Sequence, residues 1–177
     1  MVIWVDENDN ELGFVEKMEA HHKGMLHRAI SVIIFNSKGE MLLQQRAGGK
    51  YHSAGLWTNT CCSHPAPGES ARDAAHRRLF EEMGIRANLR FIRKFHYKTG
   101  FDNGLTENEI DYVFVGSSDD IPEIHPGEVE NYRYVNLDSL KVDLEKNPQH
   151  YTIWFRMIMQ NPEILDYFET ISLKKWE

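Results

Sequence analysis

Residues 58–65, Thr-Asn-Thr-Cys-Cys-Ser-His-Pro, form the stretch whose side chains most directly indicate chemistry. Cys62 precedes His64 by two positions, and both lie just ahead of a predicted helix. The pair is consistent with a nucleophile and its base, with two metal ligands, or with a small buried cysteine beside a loop histidine. A structural zinc site with two cysteine pairs is disfavoured, because the chain has only 2 cysteines.

Histidines and carboxylates elsewhere in the chain are of the kinds that bind divalent metals. Three histidines fall within residues 21–27. On a predicted strand at 107–115, the period of two puts Glu107, Glu109 and Asp111 on one face, where they repel one another unless they are solvated or share a cation. A metal site would use His21, His27, His64, Glu107 and Glu109. The alternative is a set of surface histidines beside a solvated acidic strand.

The clearest predicted helix spans residues 70–83, where Ser70 followed by Asp73 resembles a capping box. Arg78 and Glu82 lie four positions apart on one face, which is typical of an ordinary salt-bridged helix surface. In a functional interpretation, Glu82 holds Mg²⁺ while nearby cations contact a diphosphate. Those cations would be Arg46, Lys50 and Arg78.

Trp154 belongs to the first of two helices predicted to close the chain, at residues 152–160 and 163–171. A tryptophan in such a helix is most often core packing. An indole ring facing a cavity can instead stabilise a cationic intermediate through its π-face.

The remaining patterns predict alternating strands and helices. Strands are expected at 2–5, 11–16, 29–35, 40–46, 89–97, 107–115 and 129–135, and a further helix at 137–144. No repeat, low-complexity segment or boundary divides the chain, so we predict one domain over residues 1–177. The order of elements indicates the α/β or α+β class, with a mixed sheet between helices.

Composition excludes several classes of protein. The net charge of -7 and the pI of about 5.7 argue against a nucleic-acid or membrane-surface partner. The chain has neither an apolar run of about 18 residues nor a signal-peptide pattern at its start, which favours a cytoplasmic protein. Cys61 and Cys62 are adjacent, and neighbouring Cα atoms lie about 3.8 Å apart, too close for an ordinary disulfide. Free thiols suit a reducing compartment.

The predicted helix and its approach resemble the Nudix box, G-x5-E-x7-R-E-U-x-E-E-x-G-U, in which U is an aliphatic residue. The matching positions are Glu69, Arg77, Leu79, Glu81, Glu82, Gly84 and Ile85. Two positions depart from the pattern: Ser63 stands at the first glycine, and Arg78 replaces the glutamate of the R-E pair. The second change removes a metal ligand that the family uses in hydrolysis and so argues against pyrophosphohydrolase activity.

With residues 26–29, 58–65 and 106–109, these departures make the chain similar to the type 1 isopentenyl-diphosphate isomerases over roughly residues 10–160. The resemblance implies a Nudix fold. It also implies an enzyme that moves a carbon–carbon double bond, interconverting isopentenyl and dimethylallyl diphosphate through a tertiary carbocation for isoprenoid biosynthesis. The alternatives are a metal-dependent Nudix pyrophosphohydrolase and a Nudix-like binding module without catalysis.

Carried over by position, the family's functional residues fall into three groups. The resemblance implies catalytic roles for Cys62, Glu109, Tyr97 and Trp154, diphosphate contacts at Lys17, Arg46, Lys50 and Arg78, and metal ligands at His21, His27, His64, Glu107, Glu109 and Glu82. In this assignment, Cys62 and Glu109 are the acid and base on the two sides of the alkene, with Tyr97 beside Glu109. His22 is adjacent to His21, so the choice between these two as ligand stays open at this point.

The resemblance also implies cofactors and partners. Mg²⁺ is expected with the substrate diphosphate through Glu82, and one divalent metal, Mn²⁺, Mg²⁺ or Zn²⁺, at the histidine and glutamate site. The expected partner is a small-molecule diphosphate, without nucleic acid or membrane, and the oligomeric state stays open between a monomer and a weak dimer.

Overall fold

The computed structural model describes residues 1–173, and residues 174–177 of the predicted domain lie outside the described part. The strands are β1 (Val2–Val5), β2 (Glu11–Val15), β3 (His27–Phe35), β4 (Met41–Arg46), β5 (Trp57–Thr58), β6 (Cys61–Ser63), β7 (Arg90–Gly100), β8 (Thr106–Ser117) and β9 (Val129–Val135). The helices are α1 (Lys17–Lys23), α2 (Ala71–Met83), α3 (Leu137–Lys146), α4 (Ile153–Gln160) and α5 (Pro162–Ser172), and Pro148–His150 forms a single 3₁₀ turn.

Strand β3 is the centre of a nine-stranded mixed sheet. It pairs in parallel with β8 along its whole length and antiparallel with β1, β6 and β4 in turn along its other edge. Strand β7 continues the sheet beyond β8, and β9 pairs with β4. The predicted mixed sheet is therefore confirmed, and β2 forms an edge of it.

Alternation along β3 divides the core into two layers. Ile30, Val32 and Ile34 pack with the apolar side chains of α2 on one face. Ile33 and Phe35 pack on the other face with the residues of α3, α4 and α5. A strand that buries both faces has no polar alternation, which explains the continuous apolar run in the sequence. Helices cover both faces of the sheet, as predicted.

Helix α2 begins and ends where the sequence indicates. The Ser70 side chain accepts a hydrogen bond from the backbone N–H of Asp73, and Gly84 ends the helix in the left-handed conformation at φ 69°. The other predicted strands and helices are all present with ends within a few residues of the predicted positions.

The short elements α1, β5 and β6 and the 3₁₀ turn Pro148–His150 were not predicted. Glu16, expected as the last residue of β2, is instead the N-cap of α1, and its side chain accepts a hydrogen bond from Glu19 N at 2.9 Å. A helix of 7 residues contains too few turns to show a clear periodicity. Among residues 1–173, none of the helices combines the length and apolarity that crossing a bilayer requires.

Candidate active site and metal centre

A cavity beside β3 brings together most of the residues that the sequence singled out. It is lined by Lys17, Arg46, Lys50, Cys62, His64, Arg78, Glu82, Tyr97, Glu107, Glu109 and Trp154. The other two predicted site residues, His21 and His27, are fully buried next to it and contact Glu107 and Glu109. The predicted set thus converges on one place, although its members come from separate parts of the chain.

Strand β6 gives the two adjacent cysteines different surroundings. It pairs with β3 so that Cys62 lies opposite Ser31 and Cys61 opposite Val32. Because successive side chains of a strand point to opposite faces, Cys61 packs into the core beneath α2 while Cys62 lines the cavity. Both are free thiols, and burial raises the pKa of Cys62 to about 12. The Cys62 thiol therefore carries its proton at neutral pH.

Five side chains form a cluster with the character of a metal centre. Helix α1, strands β3 and β8 and the segment after β6 contribute His21, His27, His64, Glu107 and Glu109, with one ligand atom from each lying within 4.8 Å of all the others. The parallel pairing of β3 and β8 sets His27 directly opposite Glu109. His22 is exposed on the outer side of α1, so the structure places His21, and not its neighbour, in the cluster.

The hydrogen bonds of the two buried histidines fit a bound cation. The Nδ1 atoms of His21 and His27 donate to the carbonyl oxygens of Lys17 and Met25 at 2.6 and 2.8 Å, which leaves each Nε2 with a free lone pair. Each Nε2 lies 3.2 or 3.3 Å from a carboxylate oxygen, of Glu107 and Glu109 respectively. Within residues 1–173, both Nε2 atoms and Glu107 Oε2 are buried without a hydrogen-bond partner. A divalent cation between these lone pairs would satisfy all three atoms.

Glu109 belongs both to this cluster and to the cavity. Its Oε2 accepts a 2.6 Å hydrogen bond from the Tyr97 hydroxyl, and its Oε1 lies 2.8 Å from His64 Nε2. Burial alone would raise the pKa of Glu109, but its contacts with His27 and His64 hold it well below the usual range. Burial and the neighbouring carboxylate raise the pKa of Tyr97. The pair is therefore a carboxylate with a phenol that keeps its proton.

Four cations gather at another side of the cavity: Lys17, Arg46, Lys50 and Arg78. The Lys17 ammonium lies 4.7 Å from the centre of the Tyr51 ring, and the Arg46 guanidinium 5.1 Å from that of Trp154. Burial, followed by the nearby charges of Lys50 and Arg46, lowers the pKa of Lys17. Cations clustered in this way form a site for an anion with several charges.

Glu82 extends from α2 to the side of this cation cluster. Its Oε1 accepts a hydrogen bond from Arg78 at 2.7 Å and its Oε2 one from the Gln44 amide at 2.9 Å. The side chain is buried, and each oxygen keeps a further lone pair. Glu82 can therefore hold a Mg²⁺ ion that also binds an anion among the cations.

Four ionisable side chains that line this cavity and one amide beside it were not assigned to the site from the sequence. Tyr51, His52, Asp111 and Glu128 line the cavity, and Gln44 supports Glu82. Asp111 follows Glu107 and Glu109 with the period of two, which was the signal that could have found it. Tyr51, His52 and Glu128 depend on the course of the loops and Gln44 on the placement of β4, because nothing in their local sequence indicates a site.

The fold and this site define a class of protein. A family model described as NUDIX domain matches residues 25–155, and the chain belongs to the Nudix family. An isopentenyl-diphosphate Delta-isomerase of Pectobacterium atrosepticum is 51% identical over 97% of this chain and 94% of that protein. Isopentenyl-diphosphate Delta-isomerase 2 of Aromatoleum aromaticum is 52% identical over 86% of this chain and 81% of that protein. Within the Nudix family, the chain belongs with the isopentenyl-diphosphate Delta-isomerases.

Solved structures of more distant proteins share the fold. DR0079 from Deinococcus radiodurans aligns with a TM-score of 0.75 over 90% of this chain and 96% of that one, at 16% identity. The MutT protein from Methanosarcina mazei aligns with a TM-score of 0.64 over 84% of this chain and 96% of that one, at 21% identity. These similarities support the architecture only, since so few residues are identical.

Proposed function

We propose that this protein interconverts isopentenyl diphosphate and dimethylallyl diphosphate by adding a proton at one end of an allylic unit and removing one at the other. The observation that carries the proposal is that Cys62 and the Tyr97–Glu109 pair line the same cavity as four cations. Moving an unactivated double bond requires an acid and a base of this kind on either side of the alkene. The family membership supports the same reaction.

The chemical step balances as two proton transfers. A proton added to the terminal CH₂ carbon takes up the π electrons of the double bond and leaves a tertiary carbocation on the neighbouring carbon. Loss of a proton from the CH₂ group on the other side of that carbon forms the new double bond. Cys62 and Glu109, with Tyr97 beside it, are the proposed pair, and they exchange the roles of acid and base in the reverse direction.

Trp154 is the proposed neighbour of the carbocation. Its ring lines the cavity and is buried, and an indole offers π electrons without a nucleophilic atom that could trap the cation. The Arg46 guanidinium lies over the same ring, so Arg46 ties the aromatic wall to the cation cluster. Excluding water from this wall protects the intermediate from capture.

The proposed role of Lys17, Arg46, Lys50 and Arg78 is to hold the diphosphate. Fixing the charged end of the substrate places the alkene between the proton donor and acceptor without touching it, which is catalysis by positioning. We further propose that Mg²⁺ accompanies the diphosphate and binds Glu82, and that Mn²⁺, Mg²⁺ or Zn²⁺ occupies the histidine and glutamate cluster. When bound there, that metal supplies positive charge that adjusts the proton affinity of Glu109 and Tyr97. We place the enzyme in the cytoplasm, as a monomer or weak dimer.

The decisive experiment is incubation with isopentenyl diphosphate and divalent metal in D₂O. We expect deuterium at the carbons that flank the moved bond and formation of dimethylallyl diphosphate. Cys62→Ala and Glu109→Gln should each abolish both, with unchanged circular dichroism. Cys61→Ala is the matched control, because that thiol faces the core and should be dispensable for turnover. Full activity in Cys62→Ala would disprove the mechanism, and phosphate release from nucleoside diphosphates would instead favour a pyrophosphohydrolase.

A further inference from the structure

His52 is a buried histidine beside the metal centre that neither the sequence patterns nor the proposed mechanism uses. It lies in the loop between β4 and β5, two residues after Lys50, and is only 7% exposed. Its Nε2 atom is 2.7 Å from Oε1 of Glu107, one of the proposed metal ligands. An ionisable side chain this deeply buried requires a partner or a function.

The Glu107 carboxylate lies between two imidazoles. Its Oε2 is 3.2 Å from Nε2 of His21, and its Oε1 faces His52. Within the described residues, none of the three atoms Glu107 Oε2, His21 Nε2 and His52 Nε2 has a properly aligned hydrogen bond. A cation shared by His21 and Oε2 would account for two of them. Oε1 then remains for His52, whose Nε2 is within hydrogen-bond distance of it at 2.7 Å, and alignment of this contact would account for the third.

The His52 ring is fixed from several sides. It stacks on Phe101 with ring centres 4.5 Å apart and planes 12° from parallel, and it lies nearly perpendicular to the Trp154 ring with centres 5.7 Å apart. Its Nδ1 lies 3.2 Å from the Ser53 hydroxyl, and its own carbonyl accepts a hydrogen bond from Arg46 at 3.2 Å. A ring held in this way can fix the orientation of a carboxylate, which a freely rotating side chain cannot.

We propose that His52 is a positioning residue of the metal centre, which holds Glu107 through Oε1 so that Oε2 points at the cation shared with His21. This inference rests on the proposed metal role of the histidine and glutamate cluster. His52 also shares its loop with Lys50, one of the cations proposed to hold the diphosphate. The contact between His52 and Glu107 therefore joins the proposed metal centre to that loop. Removing the ring nitrogens therefore weakens metal binding even though His52 is not itself a ligand.

The test measures metal affinity and not turnover. Zn²⁺ binding is followed by competition with a chromogenic chelator for the wild type, His52→Phe and His52→Gln. Phe keeps an aromatic ring to stack on Phe101 but has no nitrogen, so its affinity should fall about 10- to 100-fold, the usual loss when an outer-shell partner of a metal ligand is removed. Gln offers an N–H donor and should recover part of the loss. His22→Phe, on the exposed side of α1, is the control and should bind as the wild type does.

Three outcomes would overturn the inference, and they differ in what else they affect. Equal affinities in the wild type and His52→Phe would overturn this inference alone. If the wild-type protein binds no Zn²⁺, both the proposed metal centre and the inference about His52 are disproved. Unfolding temperatures of the metal-free proteins separate positioning from packing: His52→Phe should match the wild type, and a fall in stability that accounts for the lost affinity would assign His52 to packing.

Discussion

Tyr97 and Glu109 face each other across the antiparallel strands β7 and β8, and the Tyr97 hydroxyl donates a 2.6 Å hydrogen bond to Glu109 Oε2. Residues directly opposite in such a pair project from the same face of the sheet, so the register itself brings the phenol to the carboxylate. Glu109 is also opposite His27 on β3. A single row across three strands therefore runs from the proposed proton-transfer pair to the proposed metal centre.

Tyr97→Phe tests whether the phenol takes part in proton transfer. The change removes one hydroxyl and leaves the ring in the core. If Tyr97 passes a proton to or from the substrate, kcat should fall about 100-fold or more, the usual contribution of a positioned acid or base, while KM changes little. Steady-state kinetics with isopentenyl diphosphate measures both constants. A variant with wild-type kcat would restrict Tyr97 to packing beside Glu109.

The adjacent residues His21 and His22 provide a matched pair for the metal centre. His21 is buried among the carboxylates, whereas His22 is exposed. Saturating divalent metal should raise the unfolding temperature of the wild type and of His22→Ala, because a ligand that binds only the folded state stabilises it by about 2.7 kcal/mol at 100 times its Kd. His21→Ala should lose most of this increase. Thermal unfolding with metal and with chelator measures it, and an equal increase in both variants would contradict the ligand assignment.

The strand that carries Glu107 and Glu109 could be predicted from local pattern alone. A period of two over several residues determines which side chains share a face, and the structure agrees. The sequence grouped His27 with these glutamates as possible metal ligands, but their contact could not be predicted, because His27 meets Glu109 only through the parallel pairing of two strands that lie far apart in the chain. Parallel strands leave no local turn signal that would reveal their register.

Two further features depend on backbone geometry that the sequence does not display. His21 and His22 are chemically identical neighbours, and only the placement of α1 against β8 determines which one is buried. His52 lies in a loop with no hydrophobic periodicity, so its burial follows from the path of the backbone and the stack with Phe101. Residue types identified most of the candidate site, but the position of a supporting residue such as His52 could be known only from the fold.

Gln44 is the basis for a prediction about Mg²⁺. Its amide donates to Glu82 Oε2 at 2.9 Å and to the carbonyl of Thr60 at 2.8 Å, and so fixes the proposed Mg²⁺ ligand against β4. Gln44→Leu should raise the Mg²⁺ concentration needed for half-maximal turnover about tenfold, the lower end of the range for such supporting residues. Gln45→Leu is the control, since that amide bonds to Gly55 instead. No difference between the two variants would show that Glu82 does not depend on Gln44.

Asp9 leads to a prediction about stability and pH. It is a buried carboxylate in the turn before β2 that pairs with Arg28 Nε at 2.7 Å and Lys94 Nζ at 2.5 Å and accepts a hydrogen bond from Tyr112. Burial acts to raise its pKa, but these partners outweigh burial and lower the pKa below the ordinary value of 3.8. A group with a lowered folded-state pKa stabilises the protein above its unfolded pKa, and this stabilisation is lost as the pH falls through the folded value.

Asp9→Asn is the appropriate variant, because the backbone at Asp9 has φ 67° and asparagine tolerates this left-handed conformation well. We expect a loss of about 2 kcal/mol in the free energy of unfolding at pH 7, the scale of hydrogen bonds to a charged group. The difference from the wild type should be constant from pH 7 to about 5 and should shrink as the pH falls below 3.8, where the wild-type carboxylate takes up a proton. Urea unfolding across this range measures it, and a difference that stays constant down to the lowest pH at which the protein folds would show that the charge of Asp9 does not hold the turn.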